Sequence, residues 1–255
     1  MFDAILPAGG TIDEAFAAQV GTSNKALIQF EGQTILERVI DALKASGRVR
    51  RIAVIGPEEV HQSAGAGKAD LLLREGSTGP DNIMRGLDAL AAQPDPPQKV
   101  LVVTTDLPFL TPEIVNRFID ACPTDVHITV PLISKAEFQS RFPECMCTFI
   151  RLKDDTWTTG CMYILDVQAL RSSKPYIDKI FEVRKSKVGM AKLLGVGFLC
   201  KFLTKTLTVP DVERKIQSML HCSGKAIEHS PPELAYDIDD LSDYEYAMKH
   251  LASKP

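Results

Sequence analysis

The sequence has little of what builds a special class of protein. Its 255 residues include one tryptophan, 7% aromatic residues and no apolar run long enough to cross a bilayer. The opening Met1-Phe2-Asp3-Ala4-Ile5-Leu6 carries no basic region, so the reading predicts neither a signal peptide nor a transmembrane segment, and hence a cytoplasmic protein with no membrane partner. Excess positive charge is also missing. Lys plus Arg number 29 against 33 Asp plus Glu, a formal net charge of −4, which argues against nucleic acid as a partner. The six cysteines, Cys122, Cys145, Cys147, Cys161, Cys200 and Cys222, are scattered, and only Cys145 and Cys147 lie close, as C-x-C. With no second pair and no histidine cluster, that spacing speaks against zinc and predicts free buried thiols.

Several catalytic signatures are missing too. No G-x-G-x-x-G follows the first predicted strand, which removes the main mark of a dinucleotide-dependent dehydrogenase, and no G-x-S-x-G elbow is present. Gly65-Ala66-Gly67-Lys68 approaches a P-loop, but Gln62 stands where the first glycine belongs and Ala69 where Ser or Thr would touch Mg²⁺. The five histidines, His61, His127, His221, His229 and His250, form no H-E-x-x-H and read as structural or surface residues.

What is present is an ordinary globular composition, 45% apolar and 24% charged, in a chain long enough to bury roughly three quarters of its unfolded surface. Strands are predicted over Phe2 to Leu6, Arg51 to Ile55, Asp70 to Leu73, Lys99 to Val103 and Val126 to Val130. Helices are predicted over Thr34 to Ala45, Asp81 to Ala91 and Thr111 to Ala121. Thr34 with Glu37 has capping-box spacing, and Pro112 follows the cap Thr111. This βα alternation predicts an α/β protein with a mostly parallel sheet and helices on both faces. Beyond it, Cys147 to Leu152 and Cys161 to Leu165 read as strands, Val167 to Phe202 and Val209 to Leu220 as helical, Lys225 to Glu228 as a strand and Asp240 to Leu251 as a closing helix. The expectation is one domain over 1–255, with a helical lobe inserted over 167–222.

In an open parallel sheet, ligands bind beyond the carboxyl ends of the strands. Three loops there carry unusual residues. Pro7-Ala8-Gly9-Gly10 follows the first strand and leads through a polar loop to Asn24-Lys25; adjacent glycines allow a ligand close to the backbone, and a lysine neutralises phosphate, although for Gly-Gly alone a tight turn with a surface lysine is the better reading. Thr104-Thr105-Asp106 follows the apolar strand Val100 to Val103, where a carboxylate can hold a hard cation or simply cap the next turn. Tyr236-Asp237-Ile238-Asp239-Asp240 puts Asp237 and Asp239 on one face of an extended segment, while Asp240, Ser242 or Asp243 caps the last helix. Glu75 to Asn82 has small residues that would admit a flat base, with Asn82 reading its edge or capping the loop, and Thr159-Gly160 leads into a strand where an acceptor could approach.

The ordered set FDAILPAGG, NKAL, GQTILERVIDAL, GSTGPDNIMRGLDAL, VVTTDLPFLTPE and AYDIDDLSDYEYA resembles the MobA-like NTP transferases, over about the first 120 residues and the last 20. RLKDDTWTTGCMYILD looks like a degenerate form of the family's Gly-Gly-Asn segment. The resemblance implies a Rossmann-like GT-A nucleotidyltransferase fold. It also implies an enzyme that moves a nucleotidyl group from a nucleoside triphosphate to a phosphorylated small-molecule acceptor and releases pyrophosphate. Ala8, Gly9 and Gly10 would hold the nucleotide, Lys25 its phosphates, and Gly76 and Asn82 would lie near the base. Asp106 would be the principal Mg²⁺ ligand and Asp237 the second, with Asp239 beside them; Thr159 and Gly160 would face the acceptor. The family's loop arginine is absent between Gly10 and Lys25, where Asp13 and Glu14 occur instead, and Asn24 replaces its usual proline. Two other readings stay open: a nucleotide-binding or regulatory protein without turnover, and a GT-A glycosyltransferase, of whose D-x-D motif Asp106 supplies one carboxylate. An anionic acceptor is expected to be selected at the basic stretches Lys135 to Arg151 and Lys174 to Leu220, although for any one residue there a solvated amphipathic surface reads at least as well.

Overall fold

A computed structural model describes residues 1–183 and 186–251. The chain begins with β1 (Phe2–Pro7), α1 (Glu14–Val20), the short strands β2 (Gln29–Phe30) and β3 (Gln33–Thr34), α2 (Ile35–Ala45) and β4 (Val49–Gly56). It continues through α3 (Glu58–His61), β5 (Leu71–Arg74), α4 (Gly79–Ala91), β6 (Lys99–Val103), α5 (Pro112–Ala121), β7 (Ile128–Ser134) and α6 (Lys135–Arg141). The remainder comprises β8 (Ile150–Arg151), β9 (Thr156–Thr159), β10 (Met162–Asp166), α7 (Val167–Val183), α8 (Lys187–Leu194), α9 (Val196–Leu203), α10 (Val209–Leu220), β11 (Gly224–Ile227) and α11 (Leu241–Leu251).

Side-chain alternation along β1 explains the layers. Ala4 and Leu6 face a core shared with Val54, Leu101 and Val103, covered by Val39 and Leu43 of α2 and Val115 and Phe118 of α5. Ile5 points the other way, to Ala53, Ile55, Val100 and Val102, covered by Leu87 and Leu90 of α4 and Leu170 of α7. Strands buried on both faces need helices on both faces. Gly86 lets α4 lie close on the sheet, since a Cβ there would stand 2.7 Å from Ile5 Cγ2.

The sheet order is β5-β4-β1-β6-β10-β7-β9-β8, with β11 on β7. β5, β4, β1 and β6 are mutually parallel, β10 is antiparallel to β6 and β7, β11 is parallel to β7, and β9 is antiparallel to β7 and β8. Among the described strands of this sheet only β10 and β9 therefore run against the rest, which bears out the mostly parallel α/β expectation; β2 and β3 pair antiparallel in a separate two-stranded sheet. The capping box forms as its spacing predicts: Glu37 N donates to Thr34 Oγ1 at 3.2 Å and Thr34 N to Glu37 Oε2 at 2.9 Å.

The structure corrects five local readings. The supposed polar loop after Gly10 holds α1, because Asp13 caps it from Phe16 N at 3.0 Å, Phe16 buries its ring, and Gly21 closes it at φ 77°. The strand expected at 126–130 lies over Ile128–Ser134 and runs into α6, which Ser134 and Glu137 start with a second capping box. The strand expected at 147–152 shrinks to β8, with β9 as its hairpin partner. The single helical run from 167 breaks into α7, α8 and α9; Ser186 caps α8, and Gly195, at φ 87°, separates it from α9. The cysteines are free, but Cys122, Cys145, Cys147 and Cys161 are only partly buried and Cys200 is exposed, leaving Cys222 as the buried one.

Candidate functional site

Because β1, β4 and β6 are parallel, their following loops meet on one edge of the sheet. The glycine turn is pinned there from both sides. Ala8 N donates to Ile55 O at 2.7 Å, and the buried Asn24 donates through Nδ2 to Ala8 O at 2.9 Å while its Oδ1 accepts from Ala26 N at 2.9 Å. Lys25 N then donates to Gly10 O at 2.9 Å. Asn24 thus returns the chain to the glycines after α1 and delivers Lys25 beside them; a Cβ on Gly10 would lie 3.4 Å from Lys25 Cδ. Proline at 24 could not make these side-chain bonds.

The second wall is acidic. Thr105 Oγ1 donates to Pro7 O at 3.1 Å, tying the β6 loop to the β1 loop, and Ile238 N donates to Asp106 O at 3.1 Å, bringing the C-terminal segment back across 131 sequence positions from Ile238's neighbour Asp237 to Asp106. Ile238 is fully buried, which turns the flanking Asp237 and Asp239 to the opposite side. Lys25 Nζ makes a short ion pair with Asp239 and lies 3.8 Å from Asp106 Oδ2. Asp240 caps α11, accepting from Ser242 N at 2.8 Å and Asp243 N at 3.1 Å, while Asp243 reaches back to the amides of Asp239 and Asp240 at 3.0 and 3.1 Å. The structure therefore brings Lys25, Asp106, Asp237 and Asp239 together beside Gly10.

The electrostatics follow from burial. Burial pushes the Asp106 carboxyl above the usual aspartate range, against the lowering effects of the Thr104 hydroxyl and the Lys25 ammonium. Burial, then the charges of Asp106 and Asp239, push Asp237 up to about 7, with Lys25 opposing. Burial lowers the Lys25 ammonium, but its bond to Asp239 and the charge of Asp106 leave it raised overall. Burial and the charges of Asp237 and Asp106 also raise the Cys161 thiol beyond any thiolate role near neutral pH.

Three carboxylates against one ammonium leave an excess of negative charge, and Asp106 Oδ1 is buried without a hydrogen-bond partner. Among the described residues no three His, Cys, Asp or Glu side chains stand ready as a metal cage. Mg²⁺ does not need one: it is commonly held by one or two carboxylates, with phosphate oxygens and water completing the octahedron. An unpartnered Asp106 oxygen beside a strained Asp237 suits that donor set.

The remaining site residues fall in two places. Asn82 is buried and accepts from Gly76 N at 2.6 Å through Oδ1, so it shapes the Gly76 turn, while Thr78 caps α4. Glu75, which opens the segment singled out in the sequence but was given no role of its own, lies against Gly9: a Cβ on Gly9 would stand 1.9 Å from Glu75 Oε2 and 3.9 Å from Asn82 Nδ2. Its position at the carboxyl end of β5, one strand beyond β4, was the available signal. Thr159 is exposed at the end of β9, whereas Gly160 is buried; a Cβ there would meet Leu234 O at 2.8 Å and Pro131 Cγ at 2.9 Å. The close approach at Gly160 is thus made by the chain itself. Of the basic groups away from the turn, Lys68 pairs with Asp41 at 2.7 Å, Arg74 with Glu58 at 3.6 Å and Arg85 with Asp81 at 3.3 Å. The histidines sit as expected in structural contacts, such as His61 Nε2 with Leu73 O at 3.0 Å and His127 Nδ1 with Ser223 Oγ at 2.7 Å.

Comparison with solved structures finds this fold in proteins described as transferases. It superposes on a hypothetical transferase from Thermus thermophilus with a TM-score of 0.83 and 28% identity, covering 95% of this chain and 99% of that one. A nucleotidyl transferase from Methanothermobacter shares the fold at a TM-score of 0.59 and 18% identity, over 100% and 99% of the two chains. A 4-diphosphocytidyl-2C-methyl-D-erythritol synthase from Anaerococcus prevotii does so at 0.59 and 14%, over 99% and 98%. A comparison with curated proteins finds no match. Residues 4–163 match the model of the MobA-like NTP transferase domain, and the chain belongs to that family of nucleotidyltransferases.

Proposed function

We propose that the protein is a Mg²⁺-dependent nucleotidyltransferase whose acceptor is a phosphorylated small molecule. The convergence of Lys25, Asp106 and Asp237 beside the glycine turn carries this reading. An acceptor phosphate oxygen attacks the α-phosphorus in line, the bond from that phosphorus to the oxygen bridging the β-phosphate breaks, and pyrophosphate leaves with the electron pair. No general base is required, because an acceptor phosphate is already ionised at neutral pH. The backbone of Ala8, Gly9 and Gly10 holds the nucleotide close to the sheet edge, and Gly76 and Asn82 line the base side. Lys25 exchanges its pairing with Asp239 for a phosphate oxygen of the triphosphate, and Thr159 faces the acceptor. Asp106 and Asp237 would hold Mg²⁺, which when bound neutralises the charge developing on the phosphates. Positioning and charge neutralisation supply most of what such chemistry needs. The protein acts in the cytoplasm, and the polypeptide 1–255 works as one domain with a helical lobe.

A panel of phosphorylated sugars and alditols with each of the four triphosphates, read by pyrophosphate release, tests this reading. Release with one pair, abolished in Asp106→Asn, supports it; Mg²⁺-dependent triphosphate binding with no release from any pair moves the protein to the second reading, a nucleotide sensor. Two observations favour that alternative: the Glu75 carboxylate lies on Gly9, and Asp13 and Glu14 stand at the start of α1, in a segment from Gly10 to Lys25 that carries no arginine.

A further inference from the structure

Between Glu182 and Asp211 the sequence has six basic residues, Arg184, Lys185, Lys187, Lys192, Lys201 and Lys205, and no acidic one. The same stretch carries Val188, Met190, Leu193, Leu194, Val196, Phe198, Leu199, Phe202 and Leu203. In a chain of net charge −4, this is a strong local reversal. Within it Lys187–Leu194 form α8 and Val196–Leu203 form α9, and no residue of α9 is buried. Val196 and Leu203, at i and i+7, are 77% and 69% exposed, with the exposed Cys200 between them, and Phe202 is 43% exposed beside them. The periodicity of this stripe is that of one helix face. Lys192 and Lys205 flank it and are exposed. Lys201 pairs with Asp211 at 3.0 Å.

The lobe also has a defined place relative to the site. Phe198 packs from the other side of α9 against Leu132, Trp157 and Leu207, next to the end of β9 that carries Thr159. At the end of α7, Phe181 lies 3.7 Å from the Cβ position of Gly79, the first residue of α4 beyond the Gly76 turn. The stripe therefore faces outward from a lobe that touches the catalytic edge at both its nucleotide and its acceptor flank.

We propose that the outer face of α8 and α9 docks on an anionic lipid surface. A helix that exposes apolar side chains on one face and is flanked by lysines is suited to the bilayer interface, with the apolar groups among the acyl chains and the ammonium groups at the headgroups. Acidic residues, which anionic headgroups would repel, are absent from the whole stretch. The sequence expectation of no membrane partner rested on the lack of a segment that could cross a bilayer, and a lipid contact departs from it. No described helix is long and apolar enough to do so, and the contact proposed here is peripheral. It does not depend on nucleotidyl transfer, and nucleotide is left out of its test.

The test is flotation of the full chain with vesicles of phosphatidylcholine alone, or with roughly one-third phosphatidylglycerol, the lipid surface charge being the variable. The expected result is co-flotation with anionic vesicles only. It should weaken in about 0.5 M NaCl, where screening cuts the reach of charge to roughly 4 Å. Two variants probe the two components, Lys192→Glu with Lys205→Glu for charge and Leu203→Asp for apolar insertion, and each should lower partitioning by about tenfold or more. Their exposed positions predict unchanged circular dichroism and melting temperature. Equal flotation with neutral vesicles, no flotation, or flotation indifferent to both variants would overturn the proposal. So would a concentration-dependent dimer that Leu203→Asp dissociates while no vesicle binding is found, which would assign the stripe to a second copy of the chain.

Discussion

Replacing Asp237 by asparagine should make the metal-free protein more stable at alkaline pH. In the folded chain, burial and the charges of Asp106 and Asp239 hold Asp237 near 7, against 3.8 ordinarily. A folded value above the unfolded one means that the folded state keeps a proton between about pH 4 and 7 that the unfolded state has released, so wild-type stability falls as pH rises through that window. The separation, 7 minus 3.8 or about 3 pH units, sets a ceiling of about 4 kcal/mol at about 1.4 kcal/mol per unit. Relaxation of the neighbouring carboxylates reduces it, and about 2 kcal/mol is the working expectation. Asparagine has the same shape and no charge. With roughly 2–4 °C of melting temperature per kcal/mol for a chain of this size, Asp237→Asn should melt about 5 °C above wild type at pH 8, with the gap closing toward pH 4.5. The assay is thermal unfolding in chelator across that range. Added Mg²⁺ with triphosphate should then raise the wild type and leave the variant nearly unmoved, since only the wild type gains the ligand's mass-action stabilisation. A variant that melts at or below wild type at pH 8, or a gap independent of pH, would refute the reasoning that Asp237 is a strained carboxylate held for a cation.

Other substitutions probe separate parts of the site. Asp106→Asn should lower turnover by about three orders of magnitude with the fold intact, read by pyrophosphate release beside circular dichroism. Lys25→Met should weaken triphosphate binding by about tenfold or more in calorimetry, the scale of one charge-assisted contact. Glu75→Gln removes a negative charge lying on Gly9 and should tighten triphosphate binding several-fold; an unchanged affinity would refute the repulsion, and a weaker one would show that the carboxylate serves the nucleotide. Gly160→Ala should cost about 1–3 kcal/mol in denaturant unfolding, because its new methyl meets the Leu234 backbone carbonyl at 2.8 Å.

The legible part of this protein is what local pattern controls. The strands around β1, the Thr34 capping box and the Thr111 start of α5 follow from alternation, apolar period and cap chemistry, all short-range in sequence. The grouping of these candidate residues was readable for a related reason: Gly9-Gly10, Asp106 and Asp237 each follow or flank an apolar extended segment, and a parallel sheet gathers such positions on one edge. What the sequence hid depends on distant partners. α1 is only seven residues long and holds through Phe16 packing near Tyr244, with ring centroids 5.9 Å apart. Asn24 looked like a departure from pattern, and only its bond to Ala8 O shows it as the anchor of the turn. Gly160 looked like space for an acceptor until Leu234, 74 positions later, was found lying over it. The breaks in the helical run after α7 follow from Ser186 capping a new helix and Gly195 adopting a positive φ, which the continuous apolar content of that stretch conceals.

The central claim is that the lysine at 25 and the aspartates at 106 and 237 serve one bound triphosphate with its divalent ion. Titration calorimetry of the four nucleoside triphosphates, with and without Mg²⁺, on wild type and Asp106→Asn addresses it most directly. The account predicts at least one triphosphate whose binding to wild type requires Mg²⁺, with that requirement abolished in a folded variant. Failure of all four to bind, or identical Mg²⁺-dependent isotherms for both proteins, would contradict it.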